Sequence, residues 1–146
     1  MIGFAIAATL CAGIFAGAAV YITLVEHPAR LSCGTTLAHT EFIPSYKRAS
    51  VLQAPLALVG GIAGAGAWYM GAGTGWLIGG ILLVSVIPIT ALAILPTNNK
   101  LLATTPGEEP ATIAALLAKW GRLHAVRTVL GTASFVLFVI LLPRLP

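Results

Sequence analysis

Four apolar runs, residues 2–25, 51–70, 76–95 and 128–142, decide what this chain can fold into. A helix crosses a bilayer with roughly 20 apolar residues; three of the runs have that length, and the fourth acquires it once extended toward its N-terminal side. Hydrophobic residues make up 58% of the chain and charged residues 8%, a balance that excludes an ordinary soluble globule. In lipid every backbone polar group must be satisfied within the protein, which leaves helices as the spanning element here. The expected fold is all-α: an integral membrane four-helix bundle, up-down-up-down, with helices over about 2–26, 44–70, 75–96 and 110–142. Helices 2 and 4 should extend beyond the membrane on one face, and residues 1–146 form a single transmembrane domain.

The first run lacks the basic flank and clean cleavage site of a secretory signal, so it reads as a retained helix. Cys11 lies inside it and Cys33 in the following loop, without the spacing of a thiolate metal site or a disulfide. The formal charge of +4 arises from basic residues beside the apolar runs and not from a dense patch, which argues against nucleic acid as a partner.

Arg30, Lys47 and Arg48 fall between the first two runs, and Lys100, Lys119, Arg122 and Arg127 between or just inside the last two. The other face holds Arg144, the N-terminal amine and the uncharged turn 71–75. By the positive-inside rule both long loops are cytoplasmic and both termini lie outside, in a bacterial inner membrane. His27, His39 and His124 share the loop side with Glu26, Glu41, Glu108 and Glu109.

Gly13 and Gly17 form a GxxxG in the first helix, a spacing that admits a close neighbour and leaves a homo-oligomer open. Pro44 reads as the first turn of helix 2. Pro55 and Pro88 release the carbonyls of Val51 and Val84, marking expected kinks, and Pro96 should stop helix 3. Glu108, Glu109 and Pro110 read as the start of helix 4. A helix from there to residue 142 would be about 50 Å long, so its first part lies outside the hydrocarbon or bends at Gly121.

On helix 4, Trp120, His124, Arg127 and Gly131 recur at helical spacing and share one stripe. An arginine costs about 2.5–3.5 kcal/mol at the centre of a spanning helix, so Arg127 needs a partner, and Glu26 at the end of helix 1 is the expected one. His124 suits a general base or a metal ligand, and equally an interfacial hydrogen bonder. His27 and His124 are the only pair that suggests a metal or haem, without HxxxH or HExxH to support it. Tyr46, Arg48, Gln53, Asn98 and Asn99 bring further phenol, guanidinium and amide groups to this end; interface anchoring and capping explain them as well.

The strings Glu26-His27-Pro28-Ala29-Arg30, Pro44-Ser45-Tyr46-Lys47-Arg48-Ala49 with Leu52-Gln53-Ala54, Pro96-Thr97-Asn98, and Trp120-Gly121-Arg122-Leu123-His124-Ala125-Val126-Arg127-Thr128 resemble the anthrone oxygenase-like family of small four-helix membrane proteins. The resemblance covers nearly the whole chain. It implies oxidation of anthrones, electron-rich tricycles, to anthraquinones by molecular oxygen without a conventional redox cofactor. It also implies functional positions at Glu26, Tyr46, Arg48, Asn98, Trp120, His124 and Arg127, with His27 a weaker expectation.

These residues support a mechanism in which an apolar phenolic or polycyclic substrate enters from the bilayer. His124 removes a proton, Arg127 and Asn98 stabilise the resulting anion, and Trp120 packs on the ring. Glu26, Tyr46, Arg48, Gln53 and Asn99 are the expected substrate-binding groups. The rival readings are a protein that binds or transports a lipid or small molecule, with Pro55 and Pro88 as hinges, a metal or haem protein using His27 and His124, and an accessory subunit that uses its GxxxG face.

Overall fold

The computed structural model describes residues 1–104 and 109–145; Glu108, expected at the start of helix 4, lies outside the described residues. Four helical rods, α1 (Ile2–Ser32), α2 (Thr35–Ala72), α3 (Thr74–Ala103) and α4 (Pro110–Arg144), are each long and apolar enough to cross a membrane. The protein is thus an integral membrane four-helix bundle. Each rod packs on its neighbours in sequence and α1 also packs on α4, while the diagonal pairs scarcely touch. Gly34 and Gly73 make the two short reversals with φ of 85° and 99°, a region that side-chain-bearing residues avoid.

At about 1.5 Å per residue, all four rods exceed a ~30 Å hydrocarbon core. Helices 1 and 3 thus have length to spare, as helices 2 and 4 do. Helix 2 begins at Thr35, directly after Gly34, rather than near Pro44. Its first turns place Ala38 and Phe42 on the face that meets α3 and α4, and that burial favours the longer helix. Glu109 is the N-cap of α4 and Pro110 opens its first turn, as the sequence suggests. The rod then runs as one α-helix through Gly121 to Leu141.

Helix 3 does not stop at Pro96. A π-type turn over Thr90–Ile94 precedes the proline, and the Leu95 N–H bonds back five residues to the Thr90 carbonyl. A proline ring clashes with the carbonyl four residues earlier, here Leu92, and the widened turn around Leu92 lets the helix continue. The same arrangement recurs in α1, where Ile22–Glu26 form a π-type turn ahead of Pro28. The expected kink positions differ from these: regular α-helix runs through both Pro55 and Pro88.

Two apolar clusters fill the bundle. The larger one joins Ala5, Ala8, Ala12, Phe15 and Ala19 of α1 to Ala57, Ala63 and Ala67 of α2, Trp76, Leu83 and Val86 of α3, and Phe138 of α4. Small residues at every third or fourth position let α1 and α2 approach closely. Of the GxxxG pair, Gly13 faces Phe135, whereas Gly17 is exposed with open space beside it. A smaller cluster caps the loop side: Ile22, Ala38, Phe42, Ile94, Leu101, Leu117 and Trp120. His39 helps to fasten this cap through a 2.7 Å hydrogen bond from Nε2 to the Leu101 carbonyl, one of the carbonyls that a helix end leaves free.

Candidate functional site

Between the two apolar clusters lies a layer of polar side chains, so the polar chemistry is interior to the bundle and roofed by the cap. Along α1 it follows Ala19, along α2 it precedes Ala57, and along α4 it follows Trp120. Its members are Thr23, Gln53, His124, Arg127 and Thr128, joined toward the cap by Glu26, Arg30, Ser45 and Tyr46.

Glu26 does not meet Arg127. The π-type turn and Pro28 carry α1 onward into another full helical stretch, which puts Arg30 one turn from Glu26 on the same face. Glu26 accepts hydrogen bonds from Arg30 and from Ser45 of α2. Arg30 also bonds Ser45 Oγ at 3.1 Å, and its Nε lies 2.7 Å from Glu41 Oε2, an ion pair whose angle falls short of a hydrogen bond. The guanidinium carbon stands 5.7 Å from the Phe42 ring centre and 5.8 Å from that of Trp120, within cation–π range. Arg30 is 6% exposed. Sequence reasoning used it only as a topology charge; the Glu26–Arg30 spacing of four was the available signal for its real place.

Arg127 donates a 2.8 Å hydrogen bond from Nη2 to Gln53 Oε1, and its guanidinium lies 5.7 Å from the Phe15 ring centre. Its Nε is buried without a partner, and no carboxylate of the described residues pairs with it. A cation held by a neutral amide and an aromatic face retains an uncompensated charge, which makes the layer receptive to an anion.

Trp120, His124 and His27 form a continuous aromatic wall. Trp120 and His124 stack with centres 4.8 Å apart, and His27 tilts against Trp120 at 5.1 Å. A Cβ at Gly121 would come 2.6 Å from His27 Nε2, so only glycine leaves this ring its place. The expected stripe on helix 4 is therefore real, and His27 belongs with it.

This wall separates two spaces. On one side is an interior cleft of about 20 Å³, lined by Arg30, Ser45, Tyr46, Gln53, Trp120, His124 and Arg127 among others, which has room for about one water. On the other is an outward-opening groove of about 390 Å³ between α1 and α4, lined by Thr23, His27, Leu31, Ala118, Trp120, Gly121, Arg122, His124 and Ala125. Small-molecule sites span about 300–1,000 Å³; of these two spaces, only the groove falls in that range.

Of the expected site residues, Glu26, Tyr46, Gln53, Trp120, His124 and Arg127 come together in or beside this layer. Asn98 is fully buried between Ile94 and Leu101 on α3, has no partner for either amide atom, and lines neither the cleft nor the groove. Arg48 and Asn99 are exposed and line neither space. Among the described residues no three His, Cys, Asp or Glu side chains converge as a metal-binding set. Thr23, Ser45 and Thr128 join the site through hydrogen bonds that sequence reasoning did not anticipate.

Neither a curated protein nor a solved structure matches the chain. The family model described as anthrone oxygenase matches residues 42–137, from the cap residue Phe42 through the whole of the helix 4 stripe. That match covers more than half of the chain, and the protein belongs to the anthrone oxygenase family.

Proposed function

We propose that the protein is a membrane oxygenase that oxidises an apolar phenolic or polycyclic substrate of the anthrone type with O₂, its polar layer lying toward the cytoplasmic face. The uncompensated Arg127 guanidinium behind the His124 ring carries this reading, because an anthrone becomes reactive toward oxygen on losing a proton. The substrate enters the groove from the bilayer and lies against the Trp120 and His27 rings. His124, which lines both spaces, takes a proton from the ring methylene. Arg127, held by Gln53, stabilises the resulting enolate from the cleft side.

The electron-rich carbanion then reduces O₂ and combines with it. Loss of water from the hydroperoxide converts the methylene to a carbonyl, so that one O₂ yields one new carbonyl and one water. The substrate supplies the electrons, and no resident redox group is needed. Anaerobic titration of the detergent-purified protein with an anthrone tests the first half of this route. The anthrone anion should appear in the absorbance spectrum at a pH where the free compound remains in its keto form. Unchanged keto spectra at saturation would remove proton abstraction from the mechanism.

A further inference from the structure

One hydrogen-bond chain at the site is directional. His124 Nδ1 lies 3.1 Å from Thr23 Oγ1, and Nε2 makes no hydrogen bond within the described residues. Thr23 Oγ1 in turn stands 2.7 Å from Thr128 Oγ1. Thr128 Oγ1 is 3.2 Å from the Ala19 carbonyl oxygen and 3.3 Å from that of His124. A hydroxyl has one proton to donate and a carbonyl oxygen can only accept. The Thr128 proton therefore serves the two carbonyls, and the 2.7 Å contact between the threonines is filled by the proton of Thr23. Thr23 then offers His124 a lone pair alone, and Nδ1 must carry a hydrogen. The opposite direction would leave both carbonyl contacts of Thr128 without a proton, with lone pairs facing lone pairs.

We propose that Thr23 and Thr128 are positioning residues that hold neutral His124 as its Nδ1–H tautomer, leaving Nε2 bare and able to accept a proton. Their catalytic significance rests on the proposed base role of His124; the tautomer itself does not. The relay also ties α1 to α4, with Thr23 sitting inside the π-type turn that precedes Pro28. It thereby gives that widened turn a chemical task at the substrate groove, whose lining includes Thr23.

The test is nitrogen NMR of the ¹⁵N-histidine-labelled protein in detergent, without substrate, at a pH above the ordinary histidine range. The His124 signals are identified by their loss in His124→Gln. The expected spectrum shows Nδ1 as an N–H nitrogen and Nε2 at the far-downfield position of a bare one. Thr23→Val should shift His124 toward the Nε2–H form that a free histidine favours, and Thr23→Ser should restore the original pattern. An Nε2–H ring in the unaltered protein overturns the proposal, as does a Thr23→Val spectrum with Nδ1–H undiminished. The unaltered protein alone decides the tautomer should a variant fail to fold. Because no substrate is present and no turnover is read, failure here is distinguishable from failure of the oxygenase reading.

Discussion

Arg127 hands an N–H to the amide oxygen of Gln53 across 2.8 Å, so that this arginine of the polar layer, unlike Arg30, is held by a neutral partner. Oxygenase activity and stability should therefore respond to this residue in opposite directions. Arg127→Met removes the anion stabiliser and should lower kcat/KM for an anthrone by about 100-fold. It also removes a half-buried charge that has no counterion among the described residues, so the thermal midpoint in detergent should hold or rise. A variant that loses activity only because it unfolds would show the opposite midpoint change.

Arg30 is the contrasting case, since Glu26, Glu41 and Ser45 all gather around it between two aromatic rings. Arg30→Met should destabilise the fold by about 3–5 kcal/mol, because it leaves Glu26 partly buried without its cation. Chemical denaturation in mixed micelles measures this, and a loss below about 1 kcal/mol would place Arg30 among weak surface pairs.

Asn98 was expected to stabilise the substrate anion, yet both of its amide atoms are buried without partners and it lines neither space. Replacing such a group by an apolar one of similar shape is near neutral or stabilising. Asn98→Leu should keep the kcat of the unaltered protein and melt at the same temperature or higher. A fall in kcat with the fold intact would restore Asn98 to the mechanism.

At Gly121 a methyl group would meet the His27 ring, 2.6 Å from Nε2. Gly121→Ala should displace that ring into the groove and raise KM for bulky substrates, with a smaller effect on kcat. Steady-state kinetics with anthrones of different widths separates the two parameters, and equal KM values across the series would argue against the groove as the binding site.

Gly13 and Gly17, alike in the sequence, should behave differently. Gly13→Ala drives a methyl to 2.9 Å from the Phe135 ring, an overpacking that costs about 1–3 kcal/mol, while Gly17→Ala meets nothing. Thermal melts of the two variants check this, and equal losses would indicate a shared interface outside the bundle.

Periodicity made the four spans and the helix 4 stripe legible, because Trp120, His124 and Arg127 lie on one helix, where spacing fixes direction. Partners on different helices were less legible, since they depend on how each rod is rotated. Glu26 pairs with Arg30 and Ser45 because α1 continues past its π-type turn, and nothing in the local pattern announces that widening. Pro96 misled for the same reason, being accommodated by the turn before it. For α2 the signal was present but unused: Phe42, Ser45, Ala49 and Gln53 recur at three- to four-residue intervals, and Arg48 falls off that face. The neutral partner of Arg127 could be found only from coordinates, because charge pairing pointed to a carboxylate.

Oxygen uptake by detergent-purified protein given an anthrone, run beside His124→Ala of equal thermal midpoint, tests the central claim most directly. The proposed route predicts equimolar consumption of oxygen and anthrone by the unaltered protein, with a loss of at least about 100-fold in the variant. No uptake above the spontaneous rate, or full turnover by His124→Ala, would contradict it.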